Sequence, residues 1–71
     1  MREFILDSEY IELVKLLKLL GIAETGGHAK MMVEQGEVLL NGEPEYRKRA
    51  KLRPGDQVVV FGEKIQIRSA E

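Results

Sequence analysis

Leu16-Leu17-Lys18-Leu19-Leu20-Gly21-Ile22, followed by Thr25-Gly26-Gly27-His28-Ala29-Lys30, decides how the rest of the chain is read. An apolar run stops at a glycine, which adopts the left-handed conformation that ends a helix without a Cβ penalty. Thr25 then offers a hydroxyl to the free amides of a second helix, and Gly26-Gly27 opens it. Working back, Tyr10 to Leu20 reads as one helix. Tyr10, Leu13, Val14, Leu17 and Leu20 form a stripe at helical spacing, widened by Ile11, Leu16 and Leu19. Ser8 is the expected N-cap of that helix. Working forward, Ala29, Met32 and Val33 give the second helix its apolar face, and Gly36 ends it after Gln35. The expectation is a helix-turn-helix pair.

The flanks have a different period. Phe4-Ile5-Leu6 suits an edge strand or docked arm. Val38-Leu39-Leu40 is a strand, and Asn41-Gly42 a hairpin turn, since both residues tolerate positive φ. Pro44 lacks a ladder donor and belongs at an edge. Pro54-Gly55-Asp56 is another turn. Gln57 to Phe61 reads as a buried strand, Gly62-Glu63 as a reversal, and Lys64 to Arg68 as an alternating, half-exposed strand. The fold class expected is α+β: one domain over residues 1–71, with the helix pair packed on a small, largely antiparallel sheet.

A chain of 71 residues has room for one thin core and no separate catalytic domain. It has no cysteine and a single histidine, so thiolate and multi-histidine metal sites are not expected, and no cofactor is read. No apolar run approaches the ~20 residues that span a bilayer, and the first residues do not resemble a signal peptide. The default is a soluble cytoplasmic protein. Asp7, Glu9 and Glu12 have no convincing partners, and no nucleophile–base set is present, so catalysis is not read here.

The net charge of −1 conceals a local cluster. Arg47, Lys48, Arg49, Lys51 and Arg53 fall within one short segment, flanked by Tyr46 and Leu52 as candidate anchors. Such cations make charge-assisted hydrogen bonds to phosphate. A charge run alone is most often a solvated loop, but anchors on either side favour a fixed, anion-binding geometry. Thr25-Gly26-Gly27 allows two readings as well. It is an ordinary helix start, or a phosphate site in which glycines leave the amides open, and Lys18 and Lys30 make the second reading competitive. His28 is an exposed residue or a minor contact to base or phosphate. Met31 and Met32 read as core filler, and Asn41 as turn chemistry.

Together these residues resemble the S4-like RNA-binding domain. The carriers are Leu20-Gly21-Ile22-Ala23, Thr25, Ala29-Lys30, Gln35-Gly36-Glu37-Val38-Leu39-Leu40-Asn41-Gly42 and Lys51-Leu52-Arg53-Pro54-Gly55-Asp56-Gln57-Val58. The motif core spans about residues 10–61 and is most like small stand-alone bacterial members of the YbcJ and YaaA type. The resemblance implies an αL-type fold presenting a basic surface to structured RNA, such as ribosomal RNA or a ribosomal particle. It implies contacts from Lys18, Lys30, Arg47, Lys48, Arg49 and Lys51, beside the Thr25, Gly26, Gly27 and His28 helix start. Many members carry arginine where this chain has Gly26, which removes one usual contact. A monomer is expected, with no membrane and no small-molecule substrate.

Two other classes compete with this reading. A protein-interaction adaptor would dock through the apolar hairpin or Met31. A β-grasp sulfur carrier shares the Asn-Gly hairpin and a similar Pro-Gly-Asp turn. It needs a terminal Gly-Gly carboxylate, however, whereas this sequence closes on Ile67-Arg68-Ser69-Ala70-Glu71. Duplex DNA binding by the helix pair is a lesser option.

Overall fold

The computed structural model describes residues 2–70. In chain order the elements are β1 (Arg2–Leu6), β2 (Ile11–Glu12), α1 (Leu13–Leu19), α2 (Gly26–Glu34), β3 (Val38–Leu40), β4 (Glu43–Pro44), β5 (Lys51–Leu52), β6 (Gln57–Val60) and β7 (Glu63–Ser69). Five strands form a sheet ordered β1-β7-β6-β3-β4, while β2 and β5 pair separately. The sheet is antiparallel except where β1 runs parallel to β7 at one edge.

Alternation along the strands produces one buried face. Val58 lies opposite Ile65 and Val60 opposite Val38, so these side chains, with Ile67 and Leu6, point to the same side. Leu13, Leu16 and Leu17 of α1 and Ala29, Met32 and Val33 of α2 close over them, all at most 2 % exposed. The α+β reading therefore holds, and Ala29, Met32 and Val33 are the buried face of α2. Both helices stop through the same device. Gly21 (φ 76°) and Gly36 (φ 74°) are left-handed. The amides behind them reach back, Ile22 N–H to the Leu17 carbonyl and Glu37 N–H to that of Met32, both at 3.1 Å.

Four local expectations are corrected. The first helix begins at Leu13 rather than Tyr10, because Ile11 and Glu12 are drawn into pairing with Leu52 and Lys51. Ser8 is accordingly not its N-cap; its hydroxyl donates to the Tyr10 carbonyl. Phe61 is not a buried strand residue. It occupies the β6–β7 turn at φ 51° beside Gly62 at φ 78°, and is 67 % exposed. Met31 and Leu19 are exposed, because they fall on the helix faces turned away from the sheet.

Asn41 does more than turn the chain. At φ 52° it shapes the β3–β4 hairpin. Its amide nitrogen donates to Asp56 Oδ1 (3.0 Å), and its Oδ1 accepts from Gln57 N–H (2.9 Å). Asp56 in turn accepts from Arg53 N–H through Oδ2 (2.8 Å). The Asn-Gly and Pro-Gly-Asp turns are thus one hydrogen-bonded unit, and it fixes the end of the segment that carries the basic cluster.

Candidate nucleic-acid interface

The start of α2 is built as the sequence suggests. Thr25 Oγ1 accepts from the His28 amide at 3.0 Å, and the Thr25 carbonyl takes the Ala29 amide. His28 reaches back, its Nδ1 accepting from Glu24 N–H at 3.2 Å. In the neutral ring this puts the proton on Nε2, an exposed donor. Among the described residues no protein acceptor meets the amides of Gly26 and Gly27. Nor does packing require either glycine: a Cβ on Gly26 would meet nothing within 4 Å, and one on Gly27 only Thr25 Oγ1 at 3.8 Å. The two amides are thus unpaired donors at the positive end of a helix, with no side chain of their own to cover them.

The basic segment is docked, by contacts other than the expected ones. Leu13 and Val14 have no side-chain cap; their amides donate to the carbonyls of Ala50 (2.9 Å) and Lys48 (3.3 Å). The loop backbone thereby serves as the N-terminal cap of α1. Ala50 and Leu52 bury their side chains beneath it. Leu52 is an anchor as expected. Tyr46 is not buried; it is 61 % exposed, with its ring against Gly36. The loop is held by main-chain carbonyls and Ala50, which side-chain type alone does not reveal.

Three of the expected contact residues have carboxylate partners. Arg47 makes a two-pronged pair with Glu45, Nε to Oε2 at 3.1 Å and Nη2 to Oε1 at 3.0 Å. Lys48 lies 3.2 Å from Glu34, and Arg49 3.1 Å from Glu12. The side-chain bond from Arg47 is the main reason the Glu45 carboxyl sits below its ordinary pKa, outweighing burial, which acts in the opposite direction. The same pair raises Arg47. These cations remain well exposed (77 % for Arg47, 42 % for Lys48 and 80 % for Arg49). The single contacts Lys48–Glu34 and Arg49–Glu12 are worth only ~0–1 kcal/mol each, so exchanging those carboxylates for phosphate costs little. The two-pronged pair of Arg47 with the largely covered Glu45 (13 % exposed) is held more firmly. Lys18 and Lys30 are exposed and have no carboxylate partner among the described residues.

The pieces fall along the helix pair. Lys48 bridges the start of α1, through its carbonyl, to the end of α2, through Glu34. Lys30 lies one turn before Glu34 on the same face of α2, and Lys18 one turn after Val14 on α1. From the loop to the Gly26-Gly27 amides is the length of α2, about 13 Å at 1.5 Å per residue. Arg47, Arg49, Ala50, Lys51 and Arg53 line a shallow concavity of about 460 Å³. Arg53 and Tyr10 are additions to the site. Lys51 Nζ lies 4.9 Å and the Arg53 guanidinium 5.8 Å from the centre of the Tyr10 ring. The density of cations in the sequence pointed to Arg53, whereas nothing local pointed to Tyr10. A larger groove of about 560 Å³, with Asp7, Glu9 and Glu12 in its lining, has the wrong sign for phosphate.

The chain is similar to known proteins over most of its length. The model of the S4 domain family matches residues 4–68. YbcJ of Escherichia coli (strain K12) is 40% identical over 58 residues, covering 82% of this chain and 83% of its own. RlbA of Bacillus subtilis (strain 168), named a probable ribosome maturation protein, is 42% identical over 57 residues, covering 80% of each chain. The solution structure of E. coli YbcJ superposes with a TM-score of 0.72 at 38% identity, over 96% of this chain and 87% of that one. It is described as revealing an alfaL motif involved in RNA-binding.

Proposed function

The chain belongs to the S4-domain family, and from that premise we propose that it is a noncatalytic protein binding structured RNA, either ribosomal RNA or a ribosome-assembly particle. One observation carries the reading: open amides at the start of α2, the unpartnered Lys18 and Lys30, and the docked loop of residues 47–51 lie along one helix pair. A phosphate backbone following that path meets donors at both ends. Recognition would be of shape, since the deep major groove of A-form RNA keeps side chains from its base edges. The description of YbcJ supports the RNA reading, and the name of RlbA supports the ribosomal one.

The test is filter binding to ribosomal RNA fragments across a salt series. If, of the six expected contact residues, only those without a carboxylate partner among the described residues (Lys18, Lys30 and Lys51) meet phosphate, log affinity falls against log salt with a slope of about −2. If Arg47, Lys48 and Arg49 join them, the slope is about −4, taking ~0.7 per phosphate. The Arg47→Ala/Arg49→Ala/Lys51→Ala variant should stay folded and bind more weakly. A slope near zero, or full binding by the triple variant, contradicts the proposal.

A further inference from the structure

Tyr46 is an exposed aromatic that the fold immobilises beside the cations. The backbone before it is fixed by the Glu45 amide donating to the Val38 carbonyl at 3.0 Å. The backbone after it is fixed by the Arg47 amide donating to Glu45 Oε2 at 2.9 Å. Its ring rests on the C-terminal glycine of α2: a Cβ built on Gly36 would come within 3.2 Å of Tyr46 Cε1 and Oη. Gly36 therefore serves two ends, a left-handed backbone at φ 74° and a seat for the ring. Lys48 grips the same last turn of α2 through Glu34. Even so, Tyr46 leaves 61 % of its surface to solvent.

A lone exposed aromatic is ordinary on a protein surface. Tyr46 differs from the more exposed Phe61 (67 %) in having its ring seated against Gly36, directly before the cationic segment. Tyr10 cannot take the same part, since Lys51 and Arg53 already stand over its ring. We propose that Tyr46 is a stacking platform for one unpaired base, placed beside the phosphate path of residues 47–51. The inference rests on the RNA reading above and narrows it: the RNA taken by this protein is not a continuous duplex but a helix interrupted by a bulge or junction. A base has a π-face whatever its identity, so the contact selects for unpairedness and not for sequence. The ring is already held, so little ordering entropy is lost on stacking.

Two hairpin RNAs of the same stem serve as probes, one with a single 2-aminopurine bulge and one fully paired. Anisotropy reports total binding, and quenching of 2-aminopurine reports stacking. Tyr46→Leu should bind the bulged hairpin at least about 5-fold more weakly and lose the quenching, with the paired hairpin unaffected. Tyr46→Trp, which keeps a π-face, should retain both, and supplies a second reading if the leucine variant folds poorly. Equal affinity and equal quenching in wild type and Tyr46→Leu would overturn the platform while leaving RNA binding in place. If wild type bound neither hairpin at low salt, the RNA reading would fall and the platform with it.

Discussion

Replacing Glu34 by glutamine should strengthen RNA binding, although it removes an interaction from the free protein. Glu34 Oε2 lies 3.2 Å from Lys48 Nζ, with the two side chains 55 % and 42 % exposed. At that exposure the pair contributes roughly 0.2–1 kcal/mol, and the isosteric change should lower the melting temperature by no more than about 4–8 °C. In the complex the same pair is a competitor: Lys48 must leave it to meet a phosphate, and a free carboxylate then stands one turn from Lys30. Glu34→Gln removes both costs, so affinity should rise by about 1.5- to 5-fold at low salt, the pair energy converted to a binding ratio. The gain should fade as salt rises, because the Debye length falls to about 3 Å at 1 M. Filter binding at two salt concentrations measures it. Comparing Glu34→Gln/Lys48→Ala with Lys48→Ala separates the two costs, since without the lysine only the gain from removing the carboxylate one turn from Lys30 should remain. Weaker or unchanged binding by Glu34→Gln at low salt would refute the assignment of Lys48 to the phosphate path.

Three further outcomes follow from single contacts. Asn41→Ala removes two hydrogen bonds between turns and a residue suited to φ 52°, so it should cost about 2 kcal/mol, read as a lower urea midpoint at unchanged slope. Thr25→Ala, which deletes the acceptor for the His28 amide, should cost about 1 kcal/mol, and Thr25→Ser should restore most of it in thermal melts. The Glu45 carboxyl lies below its ordinary value, chiefly through the Arg47 side chain. Its contribution to stability is complete above the unfolded-state pKa and is lost as pH falls through the lowered folded value. In an NMR titration Arg47→Ala should move the Glu45 midpoint upward toward the ordinary range, and an unmoved midpoint would show that the pair does not form in solution.

Local chemistry made much of this molecule readable. Gly21 and Gly36 ended helices, Thr25 capped α2, and Asn41-Gly42 reversed the chain, because each of these depends on a residue and its immediate neighbours. The candidate site was legible in the same way: cations at Lys18 and Lys30 and through residues 47–53, with glycines at a helix start, can be counted along the sequence.

What lay beyond the sequence was which distant groups meet. Ile11 and Glu12 have helical periodicity, yet they pair with Leu52 and Lys51 because the loop arrives there in space. Ser8 was a plausible cap, but the amides it would have served are bonded to Lys48 and Ala50. The pairing of Lys48 and Arg49 with Glu34 and Glu12, and the seating of Tyr46 on Gly36, likewise depend on packing. The sequence by itself determined the elements, their ends and the stock of charge, since propensities and turn geometry act over a few residues. Only the tertiary structure decided which cations stay open and where the loop docks, since hydrogen bonds and ion pairs form between whatever groups folding brings within about 3 Å.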